Sequence, residues 1–107
     1  MYSKKTNLQN AIEIYEDLLN HPQQYQFQLA IQQNNIKKIK ELLKIQSIQP
    51  NYNNNQPIIS ASRYGYTKIV RLLLKDKRVN PADQDNCAII KASRNNHIDV
   101  VKLLLKD

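Results

Sequence analysis

Residues 50–76 read PNYNNNQPIISASRYGYTKIVRLLLKD, and residues 81–107 read PADQDNCAIIKASRNNHIDVVKLLLKD. Aligned at an offset of 31 residues, the two stretches are identical at 13 of 27 positions. Self-similarity at a period of this size is typical of stacked repeats, in which each unit buries its apolar face only against its neighbours. The sequence therefore predicts a solenoid of repeated units.

A weaker copy of the same unit lies one period upstream. Ala30 aligns with Ala61 at this offset, and residues 42–43 align with residues 73–74. These alignments divide the chain into an N-terminal helix at 1–20, a degenerate unit at about 21–49, and two well-formed units at 50–80 and 81–107.

Each unit reads as two short helices with a break between them. In the second unit, small apolar residues follow Pro57, and proline is tolerated at a helix start because its missing N–H has no partner there anyway. Gly65 interrupts this pattern, since glycine adopts positive φ without strain and can close a helix. Ile69, Val70 and residues 72–74 then form the apolar side of a second helix, with Lys68, Arg71 and Lys75 on its solvent side. An all-α fold with turn-rich connections follows.

The sequence predicts different surfaces for the two ends of the stack. Thr6 and Gln9 fit a capping box, and apolar residues recur at helical spacing opposite Glu13, Glu16 and Asp17. We expect this amphipathic helix to cover the open end of the stack. At the other end, residues 100–105 keep the pattern of an internal repeat, which predicts an exposed apolar edge. Three explanations of such an edge stay open: a truncated repeat array, a short member of a duplicated family, or a docking face for a second chain, which includes self-association through the last helix.

Residues 56–74 resemble the ankyrin repeat, whose pattern is T-P-L-H-x-A-A-x-x-G-H followed by V-V and L-L. Pro57, Gly65 and the Ala61-Ser62 pair stand at the motif Pro, Gly and Ala-Ala positions, and His97 stands at the motif His. The resemblance covers about residues 21–107 and implies a helix-turn-helix solenoid of the ankyrin type.

The sequence departs from the family pattern in two ways. The period is 31 residues instead of the family's 33, which implies short loops in place of full β-hairpin fingers. The third unit has Asn95-Asn96 where the motif has glycine. Asn is the next most tolerant residue in the left-handed region, so the helix break is still expected there.

No pattern of catalytic or metal-ligating residues occurs in the sequence. The lone Gly excludes a glycine-rich phosphate loop, and one Cys excludes an internal disulfide framework. Asp83 and Asp85 lack the later Gly and Glu of a calcium loop, and the resemblance assigns Cys87 and His97 to packing positions. We therefore expect a non-catalytic protein without a cofactor or metal.

Location follows from what the first residues and the hydropathy lack. Residues 1–10 are polar and contain no apolar export signal. No window of 18 apolar residues exists that would span a membrane. An intracellular protein, cytoplasmic or nuclear, is expected.

The resemblance implies that a partner protein is held by the loop tips and the first helices. The variable positions there are Tyr52, Asn53, Asn55, Arg63 and Tyr64 in the second unit and Asp83, Gln84, Asn86, Arg94 and Asn95 in the third. Tyr and Arg dominate interface energetics, so the Tyr and Arg members of this set are the preferred anchors.

Net charge supplies the alternative function. The formal charge is +7, and residues 21–80 carry +8 of it between segments of −1 and 0. The resemblance places most of these cations on the outer side of the stack: Lys37, Lys38, Lys40, Lys44, Lys68, Arg71 and Lys75. Such a patch could bind nucleic acid or another anionic surface through phosphate contacts. However, Lys commonly fills solvent-facing helix positions, and an A/T-rich genome is a second explanation because A/T-rich codons encode Lys and Asn.

Overall fold

Seven helices form in the part of the chain that the computed structural model describes, which is residues 7–106 without the side chains of Leu18, Asp83 and Asp85. They are α1 (Asn7–Leu19), α2 (Pro22–Gln32), α3 (Ile36–Leu43), α4 (Tyr52–Tyr64), α5 (Thr67–Leu74), α6 (Asp83–Arg94) and α7 (Ile98–Lys106). No strand occurs between residues 7 and 106. The predicted all-α repeat fold with short loops is confirmed.

The helices of the repeats stack in two layers. In the first layer α4 packs against α2 and α6, and in the second layer α5 packs against α3 and α7. Each repeat contributes one helix to each layer, because α2 also packs on α3, α4 on α5 and α6 on α7. The core consists of fully buried side chains from all three repeats, which include Phe27, Ile39, Ile58, Ile69, Leu73 and Val100.

The break between the two helices of a repeat is a single residue with left-handed backbone. Asn34, Gly65 and Asn96 occupy this position with φ of 54°, 73° and 61°. In each repeat the next backbone N–H donates a 2.9 Å hydrogen bond to the carbonyl of a buried alanine: Ala30, Ala61 or Ala92. The prediction that an Asn residue forms the helix break of the third repeat, where the second repeat has Gly65, is confirmed.

A second left-handed segment precedes the first helix of a repeat. Asn53, Asn54 and Asn55 have φ of 52°, 57° and 68°, so the right-handed part of α4 begins next to Pro57. Gln84 and Asn86 repeat this conformation in α6, with φ of 60° and 61°. The Asn-rich composition predicted a turn here, and the structure adds its left-handed form, which Asn adopts more readily than other non-glycine residues.

The N-terminal helix covers the stack less fully than its sequence predicts. α1 packs on α2 and its Ile14 is half-buried. Four apolar side chains instead face solvent, with exposed fractions of 47–70%: Leu8, Ile12, Tyr15 and Leu19. Only part of the apolar stripe of α1 therefore lies against α2, and the predicted cap at Thr6 lies outside the described residues.

The last helix has one buried and one open side. Val100 and Leu104 belong to the core, whereas Ile98 and Leu105 are 57% and 71% exposed. This agrees with the apolar edge expected on α7. Within residues 7–106, no helix has both the length and the apolar character needed to cross a membrane.

An arginine links the ends of the first two repeats. Arg78 donates from Nη1 to the carbonyl of Ile48 at 2.7 Å, and its Nε and Nη2 donate to the Asp76 carboxylate at 2.9 and 2.7 Å. These hydrogen bonds, together with the positive charge, hold the pKa of the Asp76 carboxyl below its usual value of 3.8 against the opposing effect of burial. The ion pair therefore positions the guanidinium that ties one repeat to the other.

We expect Gly65→Ala to lower the free energy of unfolding by about 1–2 kcal/mol, because alanine is strained at positive φ. A Cβ atom would also approach His97 Nδ1 to 2.5 Å, so the imidazole must move. Urea unfolding measures the change. Asn96→Gly is the control and should be neutral or stabilising, because Asn96 already has φ of 61°. Equal stability of Gly65→Ala and wild type would contradict the argument.

We expect the stability of wild type to fall more than that of Asp76→Asn as the pH drops through 3.8. The lowered pKa means that the Asp76 pair stabilises fully above this pH and loses its contribution as the carboxylate is protonated. The difference should be about 0.5–1 kcal/mol because the pair is partly exposed. Asp99→Asn removes an exposed carboxylate on α7 and serves as the control. Parallel pH profiles for wild type and Asp76→Asn would contradict the prediction.

Candidate partner-binding surface

The residues predicted to contact a partner lie at opposite ends of the first-layer helices. Asn53 and Asn55 precede the right-handed part of α4, whereas Arg63 and Tyr64 end it. At 1.5 Å rise per residue, the right-handed part separates the two groups by roughly 12 Å. The predicted set therefore forms a loop end and a turn end.

At the turn end, Tyr64 is held in place by its neighbours although it is 54% exposed. The Arg63 guanidinium lies over the Tyr64 ring, 5.9 Å from the ring centre. The centre of the Tyr66 ring lies 5.7 Å from the centre of the Tyr64 ring, and the two ring planes are tilted by 33°. An exposed aromatic ring with an arginine across it offers apolar area at low cost in side-chain entropy.

The third repeat extends this turn end. Arg94 and Asn95 are exposed at the end of α6, one period after Arg63 and Tyr64. The Asn95 side chain donates a 2.8 Å hydrogen bond to the carbonyl of Lys91 and so stays close to its own helix. Because α4 and α6 pack against each other, the two pairs occupy equivalent positions on adjacent helices.

At the loop end, the predicted residues do not share one environment. Asn55 is only 2% exposed and its Nδ2 donates to the carbonyl of Asn80 at 2.7 Å. This corrects its place among the partner-contacting residues, because the side chain is used inside the stack. Asn53, Gln84 and Asn86 are exposed, and the side chain of Asp83 lies outside the described residues.

Tyr52 connects the loop end to α1. Its hydroxyl donates to the Asp17 carboxylate at 2.5 Å, and the pKa of Tyr52 is raised to about 12 by burial, by this hydrogen bond and by the Asp17 charge. The two residues stand at the wall of a cleft of about 490 Å³ between the α1–α2 turn and the loop before α4. Tyr52 is therefore engaged within the molecule.

Two apolar side chains on α2 join the exposed first-layer surface and were missed by the sequence prediction. Tyr25 is 39% exposed and Leu29 is 37% exposed. The 31-residue period aligns Leu29 with Ser60 and Lys91, which are half-buried on α4 and α6. Extending the register into the degenerate repeat would have found both residues. We use the name first-layer face for Tyr25, Leu29, Ser60, Arg63, Tyr64, Lys91 and Arg94.

The predicted basic residues lie on or beside the second-layer helices. All are exposed except Lys38, which is half-buried: Lys37, Lys38, Lys40, Lys44, Lys68, Arg71 and Lys75. Within residues 7–106, Asp76 pairs with Arg78 and the Asp17 carboxylate lies 3.8 Å from His21, and neither contact uses a side chain of this set. The seven cations therefore form a basic strip on the opposite layer from the first-layer face.

The Cys and His side chains lie in different environments. Cys87 is a half-buried free thiol, and the His97 ring faces Gly65 of the preceding repeat. His21 lies 3.8 Å from Asp17 at an exposed position. Among the described residues, no group of three or more His, Cys, Asp or Glu side chains comes together.

Comparison with known proteins identifies the repeat. The sequence matches the family described as ankyrin repeats (3 copies) over residues 8–107. No curated protein and no solved structure matches the chain. The family match spans nearly the whole sequence and agrees with three pairs of stacked helices closed by Asn34, Gly65 and Asn96. The chain belongs to the ankyrin-repeat family.

Proposed function

We propose that this protein is a binding module that holds a partner protein on the first-layer face. Ankyrin repeats are generally protein–protein interaction modules. The observation that carries the proposal is the exposed Tyr64 ring with Arg63 across it, because these residue types supply most of the energy of protein interfaces.

The first-layer face also favours a particular kind of partner segment. Its α2 end is apolar through Tyr25 and Leu29, and its α6 end is cationic through Lys91 and Arg94. Neither α2 nor α4 contains an acidic residue. A segment with apolar side chains at one end and carboxylates at the other would be complementary in both respects.

Two further points belong to the same proposal. The family is typically non-catalytic, and we infer that this chain acts by binding alone. The intracellular location expected from the sequence likewise stays a prediction.

The basic strip supports a second candidate function. Its cations are unpaired within residues 7–106 and extend over two neighbouring helices, α3 and α5. A polyanion such as nucleic acid would bind there through salt-sensitive contacts. We favour the first-layer face because lysine on an outer helix surface is also the ordinary way to keep that surface wet.

We expect Arg63→Ala combined with Tyr64→Ala to reduce capture of the partner from the native cell at least tenfold, since interface Tyr and Arg residues often contribute about 2 kcal/mol or more. Immobilised protein and quantitative mass spectrometry of the bound proteins give the measurement.

The matched control is Tyr15→Ala combined with Arg71→Ala, which removes the same residue types from exposed positions on α1 and α5. This control should capture the partner like wild type. Identical capture by all three proteins would remove the first-layer face as the binding surface.

For the basic strip, we expect no retention on heparin at physiological ionic strength. Gradient elution of wild type and of a Lys68→Gln, Arg71→Gln, Lys75→Gln variant makes the test. Retention of wild type that the triple variant loses, with a steep dependence on salt, would favour the polyanion-binding function instead.

A further inference from the structure

One buried amide side chain in each of the first two repeats binds the backbone of the loop that follows. Gln24 donates from Nε2 to the carbonyl of Gln49 at 3.0 Å and accepts the Gln49 N–H at 2.8 Å. Asn55 donates from Nδ2 to the carbonyl of Asn80 at 2.7 Å. Both donors stand 25 residues before their acceptors and 31 residues apart from each other. The contact is therefore part of the repeat.

The bound backbone has the same sequence character in both cases. The first segment is Ile48-Gln49-Pro50 and the second is Val79-Asn80-Pro81, so each is an apolar residue, an amide residue and a proline. Ile48 and Val79 are 1% and 8% exposed, and Pro50 is fully buried. Because proline keeps the preceding residue out of the helical region, the amide residue of such a segment is extended. Its carbonyl is not used within a helix and accepts the hydrogen bond from the Gln24 or Asn55 side chain.

The third repeat has the same amide without a bound segment. Asn86 stands 31 residues after Asn55 and shares its left-handed backbone, with φ of 61° against 68°. Between residues 7 and 106 no carbonyl accepts a hydrogen bond from the Asn86 side chain, which is exposed. It opens onto a cleft of about 270 Å³ whose other walls include Ile89, Leu104 and Leu105.

The apolar wall of the cleft has the same residues as the occupied site and differs in its exposure. At the equivalent positions around Asn55, Ile58 and Leu73 are fully buried and Leu74 is half-buried. Around Asn86, Ile89 is half-buried, Leu104 is 8% exposed and Leu105 is 71% exposed. The third repeat thus presents the chemistry that binds an apolar-amide-proline segment in the second, with its apolar wall open.

We propose that Asn86 and this cleft bind an extended apolar-amide-proline peptide segment of a partner protein. Asn86 donates its side-chain N–H to the carbonyl of the amide residue, and Leu104 with Leu105 covers the apolar residue before it. This site lies at the loop end of α6 and goes beyond the first-layer face. The site is independent of the proposed function, because it is inferred from the contacts that Gln24 and Asn55 make one repeat apart.

The test uses the full chain and a synthetic peptide, acetyl-Lys-Arg-Val-Asn-Pro-Ala-amide, which copies residues 77–82. We expect binding with a Kd on the order of 100 μM to 1 mM, as suits a short flexible ligand. In ¹H–¹⁵N and methyl NMR spectra, the shifts should centre on the Asn86 side-chain amide and the Leu104 and Leu105 methyl groups. No shifts at millimolar peptide, or shifts centred elsewhere, would overturn the proposal.

Two variants distinguish peptide binding through Asn86 from nonspecific binding of the peptide. Asn86→Gly keeps the positive φ without strain and should weaken binding about fivefold by removing one hydrogen bond. Asn96→Gly makes the same change at φ of 61° away from the cleft, and should bind like wild type. Equal weakening by both variants, or by neither, would count against a role for Asn86.

A change in the peptide keeps the test independent of protein folding. Replacing the peptide valine by aspartate should weaken binding at least tenfold, because a carboxylate would lie against the leucine wall. Unchanged affinity would overturn the assignment of the apolar wall.

Sedimentation of the protein without peptide tests whether a second copy occupies the cleft. A monomer is expected, and a dimer that Asn86→Gly dissociates would make a second copy the occupant and overturn the partner peptide.

Discussion

The rest of this structure depends on one constraint, which is the small buried side chain at one position of each first-layer helix. Ala30, Ala61 and Ala92 stand at the same register and are at most 2% exposed. A larger side chain there would have to displace its neighbours, because a packed interior has no spare volume. The alanine carbonyls also accept the hydrogen bond that closes each helix break, so one position belongs both to the core and to the turn within each repeat.

A second constraint is the left-handed backbone in the first turn of α4 and of α6. Asn53, Asn54 and Asn55 form one left-handed turn, and the short Asn55 side chain at its end lies inside the stack. Gln24 makes the equivalent contact from a right-handed helix. We attribute the change from Gln24 to Asn55 to the length of the side chain. The longer Gln side chain spans the distance to the next loop from a right-handed helix, whereas the left-handed turn lets the shorter Asn side chain make the contact.

The repeat register made most of the fold predictable from sequence, because identity at 31-residue spacing is independent of local helix propensity. It gave the helix pairs, the break at Gly65 and the corresponding break at Asn96. Two features escaped it for physical reasons. Asn55 is buried where its side chain binds the carbonyl of Asn80, whereas Asn86 has the same left-handed backbone and is exposed, a difference that composition does not reveal. α1 has apolar residues around too much of its circumference for one contact with α2 to bury, so Leu8 and Ile12 stay exposed.

The candidate binding surface was predictable by residue type at the turn end and only in part at the loop end. Arg63, Tyr64 and Arg94 lie in the last turn of a helix, and within residues 7–106 their side chains make no hydrogen bond to the backbone of another repeat, so exposure was a fair expectation. Residues of the loop end have such tasks: Asn55 ties two repeats together and Tyr52 binds Asp17. Variable positions of a repeat are therefore better judged by what the equivalent residue does one period earlier than by their own polarity.

The two layers divide the surface chemistry in a way that bears on selectivity. The second layer presents the seven cations of the basic strip, and such a strip attracts any polyanion with little regard to sequence. The first-layer face changes from apolar at Tyr25 and Leu29 to cationic at Arg94. A highly charged partner would leave the apolar end uncovered, and an apolar partner would bury the arginine without a counter-charge. A combination of both characters is required, and this is the kind of discrimination that a uniform charged surface cannot provide.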